Sequence, residues 1–144
     1  SKNEAFIHAE LVQKQLQGGN VEHFLSKMYS NKPTNWSKNL DIEQKSRYTI
    51  NALMRMRFCK SNGELEFTHK MNVDKAPNGY KAWFLHENRI LKHKEIVFGH
   101  WSTLRNINTK NIYPLDCGCF WGDCLGAMRL NDRVQFSQKS IEPN

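Results

Sequence analysis

At 144 residues and a formal charge of +7, the chain is one domain's worth of polypeptide with a basic balance. A domain of that size buries roughly 70% of its unfolded surface, and four Trp and eight Phe are too many for a disordered chain despite a mean hydropathy of −0.71. No run of about 18 apolar residues occurs, so no membrane partner is expected. Ser1-Lys2-Asn3-Glu4 lacks the apolar core of a signal peptide, and a start without Met fits a processed or truncated product. The positive charge favours polyanions, nucleotides or RNA among them.

The apolar periodicity predicts a helix over residues 3–17, with Phe6, Ala9, Val12 and Leu16 at three- and four-residue steps, stopped by Gly18-Gly19. A short helix over 21–29 follows. Residues 30–39, with Pro33 and several Asn and Ser, read as a loop anchored by Trp36. Asp41 and Gln44 form a capping box for a helix over about 42–54.

Beyond it the period changes to two. Met54, Met56 and Phe58 alternate with Arg55 and Arg57, which predicts a strand. Asn62-Gly63 predicts a hairpin, with Leu65 and Phe67 on the return strand. Residues 69–81 read as loop. Strands are expected over 95–98 and 112–115, and a last hairpin around Asn131-Asp132. The result is an α+β chain, with 1–54 mainly helical and 55–137 mainly antiparallel strands and loops.

Cysteines stand at 59, 117, 119 and 124, in a spacing that fits neither a zinc ribbon nor a disulfide framework. All four are expected to be reduced thiols of a cytoplasmic protein. His100 follows an apolar strand and Gly99, a position for either a ligand or a packed ring. Arg55 and Arg57, on one strand face, either clamp a phosphate or stay solvated, the second case allowing a pair between Arg55 and Glu66. Asp116 to Gly122 reads as a tight turn of small residues packed under Trp121, and the other histidines read as surface residues.

Several blocks taken together resemble a known family. They are Pro33-Thr34-Asn35-Trp36-Ser37, Arg55-Met56-Arg57-Phe58-Cys59, Lys81-Ala82-Trp83-Phe84, Phe98-Gly99-His100-Trp101 and Leu115-Asp116-Cys117-Gly118-Cys119-Phe120-Trp121-Gly122. In order and spacing they are similar to the C-terminal half of the symmetrical bis(5'-nucleosyl)-tetraphosphatases, calcineurin-like metallophosphoesterases. Cys117 replaces a usual Thr, and Asp123 stands where Gly is common.

The resemblance implies half of an α/β/β/α sandwich whose N-terminal, metal-binding half is absent here. It implies two divalent ions, Mn²⁺ or Co²⁺ with Mg²⁺ as an alternative, which this part alone would not hold stably. They would activate water to cut diadenosine tetraphosphate and related dinucleoside polyphosphates into two nucleoside diphosphates, with capped RNA as a further substrate. His100 is the metal ligand it places here, and Arg55 and Arg57 are the candidates for stabilising polyphosphate charge. Lys70 and Lys81 would neutralise outer phosphates, and Tyr48 or Trp83 would stack on a base. The missing half, or a second copy, is the expected partner. The alternative class is a basic module that binds nucleotide or RNA without cutting it.

Overall fold

The computed structural model describes residues 1–104 and 107–141. Three helices come first. Helix α1 (Lys2–Leu16) starts at a capping box between Ser1 and Glu4, and α2 (Val21–Met28) follows the glycine pair. Helix α3 (Ile42–Ile50) has the expected Asp41–Gln44 capping box, with Gln44 N donating to Asp41 Oδ1 at 2.7 Å. Both N-termini thereby satisfy amides that the helix itself leaves open. Trp36 anchors its loop as expected, its ring lying 4.7 Å from His8 and 5.5 Å from Tyr48.

The first departure follows α3. Residues 51–55 form a π-helical turn, so the strand expected from the Met-Arg alternation shrinks to β1 (Phe58–Cys59). Met54 is 68% exposed, in no core. The cause lies at Asn51, which is fully buried. Its Nδ2 donates to Ser30 O at 2.8 Å, and its Oδ1 accepts from Arg55 Nη1 at 2.8 Å. One amide thus ties the wide turn to the loop after α2, overriding a two-residue pattern with little burial behind it.

β1 pairs antiparallel with β2 (Leu65–Glu66) across the expected Asn62-Gly63 turn, and with β3 (Lys81–Ala82) on its other side. Gly63 takes φ +88°, which glycine tolerates. β4 (Ile96–Phe98) and β5 (Ile112–Pro114) form a second sheet, and β6 (Cys124–Arg129) with β7 (Val134–Lys139) a third. The α+β class holds and most pairings are antiparallel, but the strands divide among three small sheets. The β4–β5 pair is parallel. A parallel pair needs a long crossover, and the segment 99–111 supplies it without a helical pattern that would announce it.

Two apolar clusters hold the first two sheets. One gathers Phe58, Ala82, Phe84, Trp101, Leu104 and Ile112, and the other Cys59, Leu65 and Phe67. Trp83 packs against both. Other apolar surface stays open: β7 is exposed along its whole length, and Phe136, Leu125 and Leu53 are among the exposed side chains.

Two outcomes follow from this packing. Asn51→Ala removes both bonds of the buried amide, leaving Ser30 O and Arg55 Nη1 only their 3.3 Å bond to each other, and should cost about 1–3 kcal/mol in urea unfolding. An unchanged midpoint would remove Asn51 as the cause of the turn. The open edges and apolar faces should also recruit a second chain. Sedimentation at micromolar concentration is expected to show a dimer, and a monomer with one cooperative unfolding transition would contradict it.

Candidate functional site

His100 sits just past the C-terminal end of β4 with φ +64°, a left-handed backbone uncommon outside glycine. The conformation is held from the side. Arg57 Nη2 donates to His100 O at 2.6 Å, bridging from the start of β1 to the turn after β4. Next along the chain, Trp101 is buried and donates from Nε1 to Met71 O at 3.0 Å, and Thr103 Oγ1 donates to Lys70 O. Those two bonds draw the segment carrying Lys70 alongside His100.

The result is a cationic patch. Burial first, then the charges of Arg57 and Arg55, and also Lys70, push the His100 imidazole below its ordinary pKa, while Asp116 opposes them. Arg57 is pushed down by burial and by Arg55, with Asp116 and Glu66 acting the other way. At neutral pH the ring of His100 is therefore uncharged, with a lone pair free to ligate. Arg57 Nε is buried and has no hydrogen-bond partner among the described residues.

Arg55 contributes its charge from a more engaged position. Its Nη1 donates to Asn51 Oδ1 and to Ser30 O at 3.3 Å, its Nη2 donates to Asn31 Oδ1 at 3.0 Å, and it stacks over Phe67 and Tyr29. It shares no strand face with Arg57, because it closes the π turn. Nor does it pair with Glu66, whose carboxylate accepts from Thr68 N and His69 N.

The other expected site residues lie elsewhere. Tyr48 donates to Gly63 O at 3.3 Å and packs on the second cluster, where burial raises its pKa. The Trp83 ring meets Phe84 and Phe98 edge-on and carries the Arg89 guanidinium at 5.3 Å. Lys81 is exposed on β3, opposite Cys59. His86, expected on the surface, is half-buried with Nε2 2.9 Å from Cys59 O.

Beside the patch runs a groove of about 700 Å³, largely apolar, reaching from Gly99 and His100 past Trp83 and Met56 to Lys60. Arg89 lines it, with Nε and Nη1 buried and without a partner among the described residues. Asp116, a site residue that sequence reasoning quoted without giving it a role, accepts from Gly118 N at 3.1 Å behind the His100 turn. Its signal was its place directly after the apolar run Ile112 to Leu115 and two residues before Gly118.

The cysteines need a correction. Cys117 and Cys124 form a disulfide with Cα atoms 5.3 Å apart, while Cys59 and Cys119 are free. A bridge pairing of Cys117 with Cys124 across the turn brings together two residues that spacing alone kept apart.

Among the described residues no three His, Cys, Asp or Glu side chains converge as a metal site. His100 faces cations on several sides, so the residues present do not by themselves fit a divalent centre.

No protein-family model matches the chain. Curated proteins do. "Bis(5'-nucleosyl)-tetraphosphatase, symmetrical" of Histophilus somni (strain 2336) is 40% identical over 135 residues, which is 93% of this chain and 50% of that protein. The proteins of the same name from Glaesserella parasuis serovar 5 (strain SH0165) and Cellvibrio japonicus (strain Ueda107) are each 40% identical, over 134 and 131 residues. The chain is a sequence relative of the symmetrical bis(5'-nucleosyl)-tetraphosphatases. It spans about half the length of the curated relatives it matches, as a C-terminal half would. No helix among the described residues is long and apolar enough to cross a membrane.

The charge balance at His100 is testable. Arg57→Ala removes a cation beside the ring and should raise the His100 pKa toward its ordinary value, as read by NMR titration of the ring protons. A titration midpoint unmoved by the substitution would mean that the two groups do not sense each other.

Proposed function

We propose that this chain is the polyphosphate-holding half of a hydrolase that cuts dinucleoside polyphosphates, diadenosine tetraphosphate being the reference substrate, into two nucleoside diphosphates. The observation that carries the reading is the gathering of Arg57, Arg55 and Lys70 around the turn at His100. The names of the relatives supply the substrate class. A polyphosphate chain presents several adjacent anionic oxygens, and a cluster of guanidinium and ammonium groups on a fixed scaffold suits them without local rearrangement.

The roles within the patch differ by what each side chain has left to give. Arg57 gives Nη2 to the His100 carbonyl, and its Nε is buried without a hydrogen-bond partner among the described residues, so an anion would meet its charge through the rest of the guanidinium. Lys70 is exposed on its pinned segment and acts as a movable point charge. Arg55, bound to Asn51, Asn31 and Ser30, supplies field rather than contact. His100 would offer one neutral nitrogen to a metal ion that other ligands hold, and those ligands are not gathered among the described residues. The expected two-ion chemistry therefore belongs to the remainder of a relative-length protein, and no catalytic step is assigned to these residues. The same patch, acting without that remainder, would bind nucleotide or RNA through charge, the alternative class named above.

Two assays separate these readings. The chain alone, given excess Mn²⁺ or Co²⁺, is expected to leave diadenosine tetraphosphate intact, and enzyme-like turnover would overturn the division of labour. Arg57→Ala should weaken tripolyphosphate binding roughly tenfold or more, the equilibrium value of a lost charge-assisted hydrogen bond. Arg55→Ala should mainly lower stability. Equal, small losses of affinity in both variants would place the anion elsewhere.

A further inference from the structure

The turn behind His100 is closed by sulfur. Cys117 ends the run out of β5, Cys124 begins β6, and their disulfide spans the short turn through Cys119, Phe120 and Trp121. Within that turn, Trp121 N and Asp123 N donate to Gly118 O at 2.8 and 3.1 Å, and Gly122 N donates to Cys119 O at 3.0 Å. Gly118 and Gly122 both take positive φ, at 94° and 78°.

The packing around Cys117 leaves little slack. A side chain at Gly126 would meet Leu115 O at 2.2 Å and Cys117 Sγ at 3.6 Å. Leu115 N in turn donates to Phe98 O at 2.9 Å, and Asp116 Cβ lies where a side chain on Gly99 would touch it at 3.9 Å. The disulfide therefore sits one residue from Asp116, whose Cβ faces Gly99 beside His100. Two unbonded sulfurs need more room than a bonded pair, so opening the bond must loosen the turn or shift β6.

We propose that Cys117 and Cys124 are a reversible dithiol–disulfide site, whose closed form stiffens the Asp116 turn that backs His100. Both residues are half-buried and within reach of a small thiol. A dithiol opens the site in two exchanges. Its thiolate attacks one cysteine sulfur, the S–S bond breaks, and the other cysteine leaves as a thiolate and takes up a proton. The second thiol then displaces the mixed disulfide, so the reductant becomes a cyclic disulfide and two electrons and two protons reach the cysteine pair. The oxidised member of the same couple closes it again. A loop this short gains less from chain entropy than a long-range crosslink would, which favours a local switch over a global staple.

The test begins with thiol counting on the wild-type chain, denatured without reductant and mass-tagged with a maleimide. Two tags, on Cys59 and Cys119, are expected; four tags would mean that the bond does not form and would overturn the proposal. In the native chain, brief dithiothreitol should add tags at Cys117 and Cys124. Cys59, a buried thiol pushed up to about 11, should stay slow.

Amide hydrogen exchange at Trp121, Gly122 and Asp123 should then run roughly fivefold or more faster in the reduced chain, the equivalent of releasing about one ordered residue. Cys119→Ser should keep that response, and Cys117→Ser with Cys124→Ser should abolish it. Equal exchange in both redox states would overturn the proposal even if the bond forms. Tripolyphosphate affinity, measured alongside, should weaken on reduction. Its absence in both states would count against the anion site and leave the redox site judged by exchange.

Discussion

The single hydrogen bond from Arg57 to the carbonyl of His100 organises the functional end of this molecule. It joins the chain just before β1 to the turn after β4, two elements that no strand pairing connects. The carbonyl can accept it because His100 adopts a left-handed backbone. Such a conformation costs on the order of 1–3 kcal/mol and persists only where surroundings enforce it. Here they do so from both sides: the guanidinium holds the carbonyl, and the buried Trp101 fixes the following residue. The charge pattern at His100 follows from that geometry, since bringing Arg57 to the backbone also brings it to the ring.

A second constraint sets what the patch can do. Arg55 and Arg57 are neighbours in sequence and repel each other, yet the fold treats them oppositely. The π turn directs Arg55 back toward Asn51, Asn31 and the rings of Tyr29 and Phe67. Arg57 continues toward β1 and the His100 turn. One guanidinium thereby has its donors engaged by neutral oxygens and its plane by π faces, while the other keeps a buried Nε without a hydrogen-bond partner among the described residues.

What the sequence made legible was mostly local. The capping box at Asp41, the turn at Asn62-Gly63 and the hairpin at Asn131-Asp132 each rest on a few adjacent residues whose side chains or backbone freedom decide the outcome. The family resemblance rested on short blocks in order, and the relatives' coverage agrees with it. Illegible were features decided at a distance. Asn51 looks like any helical asparagine until Ser30 is folded against it. The parallel partner of β4 depends on where an irregular crossover returns, and the Cys117–Cys124 bond on a pairing across a turn. Arg55 and Arg57 were singled out together for their spacing, and tertiary contacts separated them.

The groove beside the patch carries this distinction into energetics. Its walls include apolar side chains from β4, the π turn and α1, and of these β4 packs Ile96 and Phe98 against the Phe58 cluster. Exposed apolar area forfeits roughly 25 cal/mol per Å², and the Arg89 guanidinium next to it has buried donors without acceptors among the described residues. Both deficits lie on the same side of the molecule and end at His100. The clusters around Phe58 and Leu65, by contrast, are closed by residues of this chain alone. The packing is therefore closed where it holds Arg57 and His100 in place, and open along the groove that ends at His100.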